Sequence, residues 1–137
     1  MDGEIAVTAV IGEIASLNLP NFTGRIFKYV RREKYEGEYI AVNHLPFVYG
    51  SEIGDGIVNV NVHVPRLVTN EPDTTRLYSL WQPIKEHFLA KEWNSQPDGR
   101  YLQGAYFSFH SHSLPTLDSD GTYYVNVQLK VVFNNLK

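Results

Sequence analysis

The stretch Gly56-Ile57-Val58-Asn59-Val60-Asn61-Val62-His63-Val64-Pro65 decides how this chain is read. Side chains alternate across an extended strand, so Val58, Val60, Val62 and Val64 fall on one side. Asn59, Asn61 and His63 fall on the other. The pattern returns near the C-terminus, where Tyr123, Val125, Val127, Leu129, Val131 and Phe133 alternate with Tyr124, Asn126, Gln128 and Lys130. Two long strands with one apolar face and one face of amides describe a half-buried sheet whose other side meets water or a partner. Uncharged amides hydrogen-bond another protein without a large charge-desolvation cost. That pattern favours an assembly component over an enzyme.

Outward from these strands, the rest of the chain reads as one domain, residues 1–137. Its 137 residues, 43% hydrophobic and 20% charged, suffice for one core and argue against disorder. A formal net charge of -3 argues against gripping an exposed nucleic-acid backbone, although it leaves room for passing contact with DNA. Cysteine is absent, so no disulfide and no thiolate metal site exists, in keeping with a reducing compartment. Asp2 and Glu4 stand where a signal peptide would carry Lys or Arg. No apolar run approaches the roughly 20 residues of a membrane span.

Val7, Val10, Ile11, Ile14 and Leu17 recur at helical spacing and predict a helix over 4–17, stopped at Asn18-Leu19-Pro20-Asn21. Residues 24–30 read as a first strand and 39–47 as a second, with Pro46 marking an edge or a frayed end. Between them, residues 31–38 read as a charged hairpin tip. Residues 50–56 read as a glycine-rich turn into the valine strand. Leu77, Leu80, Trp81, Ile84 and Phe88 predict a second helix capped at Asn70 or Asp73, which Pro83 should bend or shift. A polar turn follows at 94–99, then a fourth strand over 101–113, a loop over 114–121 and a fifth strand over 122–134. The expected fold is therefore α+β: a mainly antiparallel five-stranded sheet with two helices on one face, in the order α-β-β-β-α-β-β.

Motifs for chemistry are sparse. His110 and His112 stand two apart on one strand, with His63 on a strand nearby, a spacing that ligates zinc or copper when a third group converges. No HExxH spacing or carboxylate cluster accompanies them, so they read as histidines on a wet sheet face, with no metal and no cofactor. Asp118-Ser119-Asp120-Gly121 lacks the later ligands of a calcium loop and reads as a turn. Ser108, Ser111 and Ser113 share a strand with the histidines, where neighbours point to opposite faces, and no nucleophile elbow or phosphate loop is present. No catalytic residue is assigned. The amide face, Asn59, Asn61, His63, Asn126 and Gln128, is the candidate subunit interface, with Tyr106 and Tyr124 beside it. The tip residues Arg31, Arg32, Glu33, Lys34, Glu36 and Glu38 are the candidate channel or neighbour contact, their mixed signs suiting pairing between copies.

One family shares this pattern. Gly24-Arg25-Ile26-Phe27-Lys28, the charged tip, Tyr39-Ile40-Ala41-Val42-Asn43-His44-Leu45-Pro46, the valine strand, the helix start Asp73-Thr74-Thr75-Arg76-Leu77 and the late strand Tyr123–Leu129 together resemble tail-completion or tail-terminator proteins of long-tailed bacteriophages. The resemblance spans nearly the whole chain, and Pro83 departs from its pattern. It implies a virion protein assembled in the host cytoplasm: a homo-oligomeric ring, commonly a hexamer, that ends the tail tube and joins it to the neck. It implies tail-tube and neck or connector proteins as partners, no membrane and no catalytic residues. Competing expectations are another head–tail connector ring, or a small cytosolic ligand-binding domain or enzyme.

Overall fold

The computed structural model describes residues 1–50, 52–89, 100–102 and 104–134. The polar turn expected at 94–99 lies outside these residues. Helix α1 (Gly3–Ala15) starts at Asp2, whose carboxylate accepts from the Ile5 N–H at 2.9 Å. Helix α2 (Thr74–Phe88) starts at Asp73, which caps the Arg76 N–H at 3.1 Å, and it runs on through Pro83. Each cap satisfies a donor that the first helical turn leaves free. Between and after the helices come β1 (Arg25–Lys28), β2 (Tyr39–His44), β3 (Val48–Tyr49), β4 (Ile53–Pro65), β5 (Arg100–Leu102), β6 (Ala105–His112), β7 (Thr116–Leu117) and β8 (Thr122–Asn134).

The strands form one mixed sheet in the order β1-β2-β4-β8-β6-β5, with β3 paired to β4 and β7 to β8. Its spine is the antiparallel ladder between β4 and β8, in register from Ile53↔Asn134 to Pro65↔Thr122. The even-numbered valines of β4, the odd-numbered residues Val125 to Phe133 of β8, and Ile40 and Val42 share one face. Ala6, Val7, Val10 and Ile14 of α1 and Leu77, Leu80, Trp81, Ile84 and Phe88 of α2 close over that face in a single core. Burying each such large side chain contributes about 1.5–3 kcal/mol, an upper estimate because the unfolded chain is already partly collapsed. The fold is α+β with both helices on one face.

Three details depart from the sequence reading. Strands β1 and β2 pair in parallel, Arg25↔Tyr39 to Lys28↔Val42, so residues 29–38 form a crossover and not a hairpin tip. Tyr29, Lys34 and Gly37 take positive φ, which lets so short a segment double back, and Phe27, Tyr35 and Tyr39 pin it in a cluster of edge-to-face rings. The expected glycine turn at 50–56 is largely strand: β4 begins at Ile53. Gly54 and Gly56 continue the core-facing valine row, and the Phe133 and Phe47 rings occupy the space their side chains would fill. The five expected strands resolve into eight. Pro46 splits β3 from β2, residues 101–113 divide into the antiparallel pair β5 and β6, and the loop at 114–121 contributes β7.

Candidate functional site

Three cross-strand ladders pave the sheet face opposite the helices. In register, Tyr39 lies across from His63 and His63 from Tyr124; Ala41 from Asn61 and Asn61 from Asn126; Asn43 from Asn59 and Asn59 from Gln128. The amides close on one another. Asn59 Nδ2 donates to Asn43 Oδ1 at 2.9 Å, while Asn59 Oδ1 accepts from Asn126 Nδ2 and Gln128 Nε2, both at 3.2 Å. Asn126 Nδ2 also donates to Asn61 Oδ1 at 2.8 Å, and Ser111 Oγ donates to Gln128 Oε1 at 3.3 Å. This mutual bonding is what lets Asn59 be buried, since a buried amide without partners is costly.

His63 belongs to a different network. Its ring is stacked between Tyr39, at 4.2 Å and 11°, and Tyr124, at 5.0 Å and 25°. Nδ1 lies 2.9 Å from Thr122 Oγ1 and 3.7 Å from Asp118 Oδ2. Burial pushes the His63 pKa down, and the nearby Asp120 and Asp118 only partly offset that, so the ring is neutral at neutral pH. Asp120 is the hub. Its Oδ1 accepts from the Thr122 N–H at 2.9 Å and Thr122 Oγ1 at 2.6 Å, and its Oδ2 accepts from the Tyr39 hydroxyl at 2.5 Å and faces Arg31 Nε at 3.2 Å. Burial alone would raise the Asp120 pKa, but the bonds from Thr122 and Tyr39 outweigh it and hold the carboxyl below its usual range. Tyr39 is driven well above the ordinary phenol value by burial and by Asp120.

His63, Asp118 and Asp120 bring three ligand-type atoms within 4.8 Å of one another. The donor census argues against a cation there: four donors, one of them cationic, already fill Asp120. The trio ties the crossover after β1 to the turn before β8. That turn has the Asp-Gly geometry read from sequence, with Gly121 at φ +88°.

Beside this knot the face sinks into a groove of 450 Å³, floored by Asn43, Asn59, Asn61 and Asn126 and walled by Thr116 and Asp118. Of the sequence-derived interface set, Asn59, Asn61, Asn126 and Gln128 meet in one bonded cluster, while His63 sits at its end in the aromatic ladder. The charged set divides. Arg31 turns in to Asp120, and Glu38 turns in to Arg76, whereas Arg32, Glu33, Lys34 and Glu36 are exposed.

The histidine pair fares differently from its sequence reading. A bulge between Phe109 and Ser111 leaves His110 as an extra residue and reverses the alternation after it. Ser111 therefore reaches the amide face, and His112 stacks on Trp81 of α2 at 4.2 Å. His110 and His112 do not share a site with His63 among the described residues. Sequence reasoning missed Asn43, Tyr39 and Thr122, and it read Asp118 and Asp120 only as a turn, whereas the fold sets both carboxylates beside His63. The alternation of Tyr39-Ile40-Ala41-Val42-Asn43 carried the signal for the first two; the meeting of His63 with the turn depends on pairing between distant strands.

No helix among the described residues is long and apolar enough to cross a membrane. Against known proteins, the chain matches no protein-family model and no curated sequence.

Proposed function

We propose that this chain is a structural subunit of a tailed bacteriophage, one copy of a ring at the head-proximal end of the tail that ends growth of the tube and joins it to the neck. The observation that carries the reading is where uncovered apolar side chains collect. Val48, Tyr49 and Ile53 are 62%, 53% and 63% exposed at one end of the β4–β8 ladder. Tyr78 and Leu114, 55% and 80% exposed, flank its other end. Exposed apolar surface gathered this way marks association sites. The element order supports the same reading. With β2 and β3 taken as one interrupted strand, and likewise β6 and β7, the chain keeps five principal strands in the order of the terminator family, with β5 added.

Neighbours would meet two further surfaces. The amide face forms part of a subunit contact through Asn61, Asn126 and Gln128, and the exposed charges of Arg32, Glu33, Lys34 and Glu36 face the channel or an adjoining copy. Electron microscopy and native mass measurement of the purified chain test the reading. Closed rings, a hexamer for the terminator or a dodecamer for a connector, support assembly into the neck. A monomer at high concentration removes it. Lysine at both Asn61 and Gln128 should block rings while the fold survives, and intact rings from that variant would sink the amide contact alone.

A second reading, a small ligand-binding domain, draws on the polar groove beside His63 and Asp118. It requires a monomer whose thermal midpoint rises with a small polar ligand.

A further inference from the structure

Resting on the ligand-binding reading of the polar groove, we propose that this groove takes an uncharged polyhydroxyl ligand, a sugar ring, held by His63, Asp118 and the amides of Asn43, Asn61 and Asn126. The hydrogen bonds fix the tautomer of His63. Thr122 Oγ1 carries one proton and gives it to Asp120 Oδ1 at 2.6 Å. The same oxygen lies 2.9 Å from His63 Nδ1, so that nitrogen is the donor. Nε2 of the neutral ring is then a bare lone pair. His63 is only 6% exposed, and its Nε2 has no partner among the described residues. It is not sealed in, because the ring lines the groove and the atom meets solvent. A donor from outside the chain completes a buried acceptor of this kind.

The rest of the lining offers both halves of a hydrogen bond. Asn43 and Asn61 each accept through Oδ1 within the amide cluster, which leaves their Nδ2 groups unused. Asn126 donates both Nδ2 protons, to Asn59 and Asn61, and keeps Oδ1. Asp118 Oδ1 accepts from the Ser119 N–H at 2.7 Å, whereas Oδ2 lies 3.7 Å from His63 Nδ1, too far for a hydrogen bond. Two amide donors and three acceptors therefore open on one 450 Å³ hollow. Bonds inside the cluster hold them in place before anything binds, which limits the ordering cost.

That mixture selects the ligand. An anion would call for a cationic side chain, and the described lining has no lysine or arginine. An ammonium group would answer the acceptors and leave both amide donors idle. A flat aromatic base would need an open ring, but His63 has Tyr39 on one face and Tyr124 on the other. Adjacent hydroxyls each give one hydrogen bond and accept others, so a sugar ring meets donors and acceptors at once. The volume falls within the roughly 300–1,000 Å³ of small-molecule sites. A second hollow of 360 Å³ shares Asn61, His63 and Asp118 with the first and has space for a second ring.

Nuclear magnetic resonance titration of the isotope-labelled chain with glucose, galactose, mannose and N-acetylglucosamine tests this, read on the side-chain amides of Asn43 and Asn61. At least one sugar should shift them saturably, with a millimolar dissociation constant, since each bond gained replaces one to water. Asp118→Asn removes the carboxylate, and Asn61→Asp keeps the acceptor used by Asn126 while replacing the outward donor. Each should weaken that binding about tenfold, with the circular dichroism spectrum unchanged. No saturable shift with any of the four sugars, or equal affinity in both variants, overturns the site. Native mass measurement on the same samples separates this result from ring formation. Rings that bind no sugar remove the site and leave the virion reading standing, and a monomer that binds one does the reverse. Rings that bind sugar uphold the site and move the subunit contact off Asn61.

Discussion

Arg76 grips Glu38 with both arms of its guanidinium, Nε to Oε2 at 2.9 Å and Nη2 to Oε1 at 2.5 Å. The same group donates to the backbone carbonyls of Pro20 at 2.7 Å and Asn21 at 3.1 Å. One side chain on the first turn of α2 thus locks the connector after α1 and the segment entering β2. Glu38 chiefly, with Asp73 adding to it, raises the Arg76 pKa further. Both groups are about four-fifths buried, so the pair is screened less than a surface one. Arg76→Lys keeps the charge but loses the fork, and should cost about 1–3 kcal/mol in urea unfolding. A midpoint equal to that of the parent protein would show the grip to be ornamental.

Gly56→Ala should destabilise by about 1–3 kcal/mol, because the strand must accept a methyl where a ring already lies. Its Cβ would come within 2.3 Å of the Phe47 ring. Combined with Phe47→Ala, the two costs should fall short of their sum, since the clash vanishes with the ring. Strict additivity in the double variant would disprove that the ring is the obstacle.

Stability should fall on acidification through the histidine range. His63 is depressed below its unfolded value of about 6.5, so the unfolded chain binds the proton more readily. That stabilisation is present above pH of about 6.5 and is lost as pH falls toward the folded value. Asp120, also depressed, adds a second loss at lower pH, below about 4. The groups around His63 are Tyr39, Asp118, Asp120, Thr122 and Tyr124, with the Arg31 cation behind Asp120 adding to the depression. Replacing His63 with Phe keeps the stack and should flatten the thermal midpoint between about pH 7.5 and 5.5. An unchanged slope in that variant would assign the acid sensitivity elsewhere.

Zinc, calcium or manganese should leave the thermal midpoint of the wild-type chain unmoved, because Arg31, Tyr39 and Thr122 already occupy the Asp120 oxygens. A ligand present at about a hundred times its dissociation constant would stabilise by about 2.7 kcal/mol, which a melting curve registers easily. A rise of that size with any of these ions would give His63, Asp118 and Asp120 a metal-binding role.

Asn59→Ala should cost about 0.5–1.5 kcal/mol, since Asn43, Asn126 and Gln128 each lose a bond but are only half-buried beside the groove, where water can replace it. Amide hydrogen exchange along β4 and β8 should quicken with it. Unaltered exchange would mean that the ladder is held by backbone pairing alone.

Periodicity made most of this fold readable. Strand β8 occupies the expected residues 122–134, and the α2 stripe from Leu77 to Phe88 is buried throughout. Long elements with one oily face announce themselves because a single period persists over many residues. What stayed hidden was set by partners distant in sequence. Nothing near Arg25–Lys28 tells whether β2 will run beside it or against it, and the crossover depends on Tyr35 finding Phe27 and Tyr39. Gly54 and Gly56 look like turn residues until Phe133 and Phe47 are placed over them. The amide set was legible from alternation. Arg31 and Glu38 looked like solvent-facing charges because Asp120 and Arg76 lie far along the chain.

The extra residue at His110 gives β6 two allegiances. Upstream of it Phe107 greases the helix layer; downstream, Ser111 wets the far side and His112 offers a flat plate to Trp81. Were His110 drawn into the ladder as a regular residue, the rest of the strand would fall out of phase, turning the hydroxyl inward and the imidazole outward. One skipped rung, more than the order of side chains, keeps the two layers distinct.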